Sequence, residues 1–248
     1  MAVKTLAALV VIACVLPTYA LPVSALAANA QVSDTSDVQK SYLIALDRFE
    51  VQAADQEETA LWDVEAWAGG ASNRLWLKSE GEYSLTDSAY EQVDVQALVA
   101  HAVLPDFFIQ AGVRRDIQPT PHRTHAVLGF EGDAAYGFEL EGAVFVSHKG
   151  GVTLNFEIEN EIPLTEHLLL LPRIEIDLAT ETMGELEIGK GMTEFEAGLR
   201  LHYEIHDRFA PYIGVTWTRL MGDTADFARD DDEDVDTLAF VMGVRMAY

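Results

Sequence analysis

The stretch HRTH sets His122 and His125 three residues apart, and SHKGG adds His148 a short distance along the chain. Neutral imidazoles at such a spacing beside a loop can share a transition metal, although the pair is far less specific than a complete ligand set. Solvated rim positions would account for the same residues. Met183, Met192 and Met221 fall in or beside stretches that read as loops, where a thioether is unusual and would suit a soft metal. His202, between Arg200 and Glu204 in spacing, and His101 read as imidazoles turned toward a charged interior. Nucleophilic chemistry finds no support. There is no G-x-S-x-G elbow, and Ser147 beside His148 does not make a dyad by adjacency alone. The chain reads as a protein without enzymatic activity.

Cys14 is the only cysteine. It lies in a segment with the layout of a secretory signal peptide: Lys4, an apolar run from Leu6 to Leu16, and Ala28-Asn29-Ala30 as the cleavage site. Ala25-Leu26-Ala27 is a nearby alternative. The sequence Val11-Ile12-Ala13-Cys14 also resembles a lipoprotein box, which keeps lipidation of Cys14 as a second reading. Cleavage after Ala30 leaves a mature chain with no cysteine, and so no disulfide or thiolate site. The net charge is −25, from 41 acidic and 16 basic residues. That excess excludes the basic footprint needed for nucleic acid. Residues 31–41 read as a polar lead-in, and residues 42–248 as one structured domain.

The elements that must position these groups are strands. Phe138, Leu140, Gly142, Val144 and Val146 alternate with Glu139, Glu141, Ala143, Phe145 and Ser147. Similar alternation runs through 152–159, 168–178 and 194–205, each long enough for a membrane strand of ~9–11 residues. A soluble sandwich could turn the charged faces toward water. The chain end decides between the two: LAFVMGVRMAY alternates up to the final Tyr248, as though the terminus itself must be paired. Read backward from there, long connections such as GDTADFARDDDEDVD and ATETMGELEIGKGM alternate with short ones such as HDRFAP and IPLTE. Outer-membrane barrels show that asymmetry. The expectation is an antiparallel transmembrane β-barrel of twelve strands, or ten if the first hairpin is an appendage. It would be integral to the outer membrane of a Gram-negative bacterium. Met242 and Met246 should face lipid, while Glu157, Glu175, Arg173 and Arg200 should face the lumen. Its acidic excess would favour cations over anions.

Several stretches resemble the copper resistance protein B family: DRFEVQ, LWDVEAWAGG, NRLWLKSEGE, QAGVRRDIQP with HRTHAVLGFEG, LPRIEIDLA, EAGLRLHYEIHDRFAPYIGVTWTR and GDTADFAR. The similarity runs from about Asp47 to the C-terminus. It implies an outer-membrane barrel that binds copper or passes it across the membrane, with a periplasmic copper-handling protein as a possible partner. Many members carry a Met- and His-rich N-terminal extension, whereas Gln31–Tyr42 has neither residue type. If copper is bound, the expected ligands are His122, His125 and His148, supported by Glu139 and Glu141 on the intervening strand. Met183, Met192, Met221 and His202 are the second choice. The copper oxidation state stays open. The rival function is a structural or adhesive barrel with a plugged lumen and no metal role.

Overall fold

The computed structural model describes residues 41–55, 57–206 and 208–248. The signal-peptide and lead-in readings over residues 1–40, with Cys14, lie outside the described residues. Ser41 already belongs to the first strand. The strands are β1 (Ser41–Ala53), β2 (Glu58–Gly69), β3 (Asn73–Ser84), β4 (Ala89–Leu104), β5 (Phe107–Gln118), β6 (Thr124–Asp133) and β7 (Phe138–Ser147). They continue with β8 (Val152–Asn160), β9 (Ile162–Pro163), β10 (Leu168–Ala179), β11 (Gly191–Tyr203), β12 (Phe209–Leu220) and β13 (Asp236–Ala247). One helix, α1 (Gly222–Asp230), sits in the last long connection.

Consecutive strands pair antiparallel, and β1 pairs with β13, so the sheet closes on itself. The short β9 meets β10 in the same register that β8 keeps with it (Glu159 opposite Arg173, Ile162 opposite Leu170). β8 and β9 are therefore one stave broken at Glu161, and the barrel has twelve strands. Closure extends to the last residue. The Tyr248 N–H donates to the Ile44 carbonyl at 2.8 Å, and the Ile44 N–H returns a bond of 3.0 Å. A strand end left bare in lipid would strand these polar groups without partners.

Alternation assigns the two faces. Leu75, Leu77, Val99, Val113, Leu128, Phe240 and Met242 are exposed on the barrel's outside, where lipid lies. Trp62, Tyr83 and Tyr90 cluster on that outer wall near one end, with ring centroids 6.3 and 4.9 Å apart. Tyr42, Tyr203 and Tyr248 flank the other end. Such paired aromatic girdles mark the two membrane interfaces. The connections at the Tyr90 end include 180–190 and 221–235, and those at the Tyr42 end are short. The long-loop end faces outward and both termini of the barrel face the periplasm. His101 departs from its expected place: it is exposed, outside the lumen, and bonded to Asn73 at 2.9 Å.

Strand β1 breaks its own period. Pairing with both β2 and β13 shifts by one residue after Leu46. This bulge lets consecutive residues, Asp47 and Arg48, both reach lumenal partners: Asp47 approaches Arg245, and Arg48 approaches Asp63, each at 3.7 Å. Bulges re-aim side chains in this way.

Candidate functional site

Short connections hold neighbouring strands in fixed register, so inward side chains from distant parts of the sequence meet across the lumen. Arg173 on β10 lies among three carboxylates: Glu157 on β8, Glu175 at 2.7 Å and Glu196 on β11 at 2.9 Å. Arg200 on β11 reaches across the closing seam to Glu50 on β1 with two bonds of 2.7 and 2.9 Å. The Tyr212 hydroxyl donates to the same carboxylate at 2.9 Å. Lys78 on β3 bridges Glu131 and Glu141, the latter at 2.6 Å. Arg114 on β5 joins Asp94 at 3.1 Å and Asp116 at 2.8 Å.

Lys78, Arg173 and Arg200 are buried, and Arg200 and Glu50 are each 2% exposed. Burying charges is costly unless they are paired, which explains why these bases come with one to three acids each. Arg74 is the exception among the described lumenal bases. It has no carboxylate within ion-pair distance and lies between Trp67 and Phe108, 3.8 and 4.1 Å from the ring centres. A cation over aromatic faces is an alternative form of compensation. The acids outnumber the bases, so Glu80, Glu82 and Glu194 are left without an ion pair among the described residues.

At the outer rim the expected ligand residues diverge. His125 points into the lumen and its Nε2 lies 2.7 Å from Asp116. Its Nδ1 is buried without a hydrogen-bond partner. His148 is exposed on the next hairpin, and the Thr124 N–H donates to its Nδ1 at 3.1 Å. The Thr124 carbonyl, 3.2 Å from the same nitrogen, already accepts the His148 backbone N–H at 2.9 Å. Both contacts engage Nδ1 of His148 with the Thr124 backbone. His122 is exposed in the connection before β6. Glu141 is held by Lys78, and Glu139 lies opposite Glu159 near the periplasmic foot of β7. A rise of ~3.3 Å per residue puts Glu141 about 20 Å along the strand from Ser147, the residue opposite His125. The two glutamates therefore lie well below the rim. Among the described residues, no group of three or more His, Cys, Asp or Glu side chains is assembled to hold a metal ion.

The second-choice residues are also dispersed. The Met183 sulfur accepts a 3.5 Å hydrogen bond from Arg123 at the wall of an outer cavity of about 540 Å³. Lys149, Glu181 and Glu185 line the same cavity. Met192 is exposed at the outer start of β11, and Met221 caps the approach to α1, its N–H bonded to the Thr193 carbonyl at 2.8 Å. His202 is buried, stacked on Tyr212 with centroids 4.4 Å apart, and its Nε2 has no partner.

The period of the strands assigns Arg173, Arg200, Glu157 and Glu175 to the lumen, and the structure places them there. Glu50, Lys78, Asp94 and Glu131, which anchor the same networks, do not stand out in the sequence as lumenal. A signal for Lys78 exists in LWLKSEGE, where Trp76, Lys78, Glu80 and Glu82 share a parity. Glu50 is hidden by the β1 bulge, which breaks that parity.

Comparison with known proteins covers the whole barrel. The family model described as "Copper resistance protein B precursor (CopB)" matches residues 40–248. Copper resistance protein B of Escherichia coli is 40% identical over 220 residues, which are 89% of this chain and 74% of that protein. The copper resistance protein B homolog of Pseudomonas syringae pv. tomato (strain ATCC BAA-871 / DC3000) is 39% identical over 208 residues, 84% and 70% of the two chains. Among solved structures, the NanC porin aligns with a TM-score of 0.54 and 9% identity, covering 83% of this chain and 99% of that one. At that identity the likeness concerns the fold.

Proposed function

Because this chain belongs to the copper resistance protein B family, we propose that it binds copper ions and carries them across the outer membrane. The observation that carries the reading is the family match, which spans every strand of the barrel. Copper here is cargo rather than a resident cofactor. The acidic surplus of the lumen supports the reading: Glu80, Glu82 and Glu194 offer an entering cation carboxyl groups that have no ion pair among the described residues. Histidine and methionine at the mouth supply the softer donors that copper prefers. His122, His125 and His148 would make the first contact, with Met183, Met192 and Met221 as thioether alternatives. The free Nδ1 of His125 and the free Nε2 of His202 are imidazole positions not engaged by the protein itself. Glu139 and Glu141 would act lower in the lumen, after the rim. Passage calls for a periplasmic copper-handling protein to receive the ion. The family membership also supports reading the protein as non-enzymatic.

The ion-pair belts centred on Arg173 and Lys78 favour a second reading, a structural or adhesive barrel whose lumen is plugged. Copper tolerance separates the two. Deleting the gene should change growth in copper, and the intact chain should restore it. Unchanged tolerance would favour the plugged barrel.

A further inference from the structure

The copper reading leaves one feature of the outer wall unused. Of the basic residues on described strands, Arg115 and Arg219 project from the lipid-facing side. Arg219 is neutralised by Asp236 at 3.1 Å. Among the described residues Arg115 has no carboxylate within ion-pair distance, and its side chain bonds to the Thr124 hydroxyl at 2.7 Å. The nearest acid in sequence, Asp116, is held by Arg114 and His125, and residues 117–130 and 142–156 contain no Asp or Glu in a chain that has 41 of them. The neighbouring Lys149 is likewise without an ion pair among the described residues.

Register brings a second donor to the same spot. Arg115 lies opposite Thr124, and His125 opposite Ser147, so His148 falls beside Thr124 on the following strand. The Thr124 backbone engages Nδ1 of the exposed His148, which leaves Nε2 for a ligand. Immediately below, Val113, Ala126 and Val146 form a lateral apolar row, paired in the same register. Phe107 marks the periplasmic edge of this wall, stacked on Phe130 at 5.7 Å. A rise of ~3.3 Å per residue and a tilt of ~40° put Arg115 about 20 Å above it, at the outer margin of the apolar band.

We propose that Arg115 and His148 bind a phosphate group on a lipid headgroup of the outer leaflet, with the acyl chains lying on Val113, Ala126 and Val146. A guanidinium fork matches phosphate oxygens in pairs, and a neutral imidazole N–H adds a donor without needing to be charged. The apolar row distinguishes a lipid from free phosphate, because only a lipid gains from contact with it. This site lies on the outside of the barrel and shares His148 with the copper reading, but Arg115 and the apolar row take no part in that reading.

The test measures binding of bis-phosphorylated lipid A, in mixed micelles, to the purified barrel. Replacing both residues (Arg115→Gln with His148→Gln) should weaken binding about tenfold, the effect of losing charge-assisted bonds. Arg219→Gln should leave it unchanged. Removing the phosphates from the lipid should weaken binding to the parent by a similar factor. Heat-modifiable gel migration establishes that each variant is folded. The assignment is overturned if the double variant binds as tightly as the parent, or if Arg219→Gln weakens binding equally. It also fails if dephosphorylated lipid binds equally well, or if inorganic phosphate displaces the lipid at matching concentration.

Discussion

The lumen wall and the outer rim over β5–β7 belong to one closed sheet but treat charge in opposite ways. In the lumen, Arg173 touches three carboxylates and Arg200 shares Glu50 with Tyr212. On the rim, Arg115 and Lys149 have no acidic partner among the described residues, and His122 stands exposed. The difference follows from water. An enclosed charge must find its compensation within the protein, whereas a solvated one can wait for a ligand. Pairing therefore marks the scaffold of this barrel, and the unpaired groups mark the surfaces available for binding.

The contrast is broken most strongly in the lumen. Arg173→Met would leave Glu157, Glu175 and Glu196 crowded together without their shared cation. Removing one partner of a buried network costs roughly 3–5 kcal/mol. Urea unfolding of the detergent-solubilised barrel should show a loss of that size, and cation conductance in planar bilayers should rise. Glu50→Ala isolates Arg200 and the Tyr212 hydroxyl, and should cost about 3 kcal/mol in the same assay. At the rim, His125→Ala removes one hydrogen bond to Asp116, which keeps Arg114. The expected loss is about 1 kcal/mol. A His125→Ala effect as large as that of Arg173→Met would mean that the rim is scaffold after all.

Much of this fold is legible in the amino-acid sequence. The alternation of LAFVMGVRMAY, the strand count and the outer-loop pattern all follow from local rules, because a membrane strand must satisfy period two along its whole length. The acids and bases of β8, β10 and β11 fall in the lumen for the same reason. Two things are beyond the reach of parity. The bulge at Asp47 turns consecutive residues toward the lumen, and nothing in LIALDRFE announces an extra residue. Partnership across the lumen depends on how the sheet closes, so the bond from Arg200 to Glu50 links opposite ends of the chain. The histidines of HRTH and SHKGG lie near the outer rim as their loops imply, yet their directions depend on single-residue register. His125 turns inward to Asp116, while His148 turns outward beside Thr124. Glu139 and Glu141 lie further down β7 than the loop spacing suggests.

The most direct test of copper handling is equilibrium metal uptake by the purified, folded barrel, compared among Cu(I), Cu(II) and Zn(II). Copper should bind in preference to zinc. Its affinity should fall on acidification, since ligation requires the neutral ring. Replacing His122, His125 and His148 together by alanine should weaken uptake while the heat-modifiable migration of the barrel persists. A parent protein that takes up copper in neither oxidation state would contradict the proposed function.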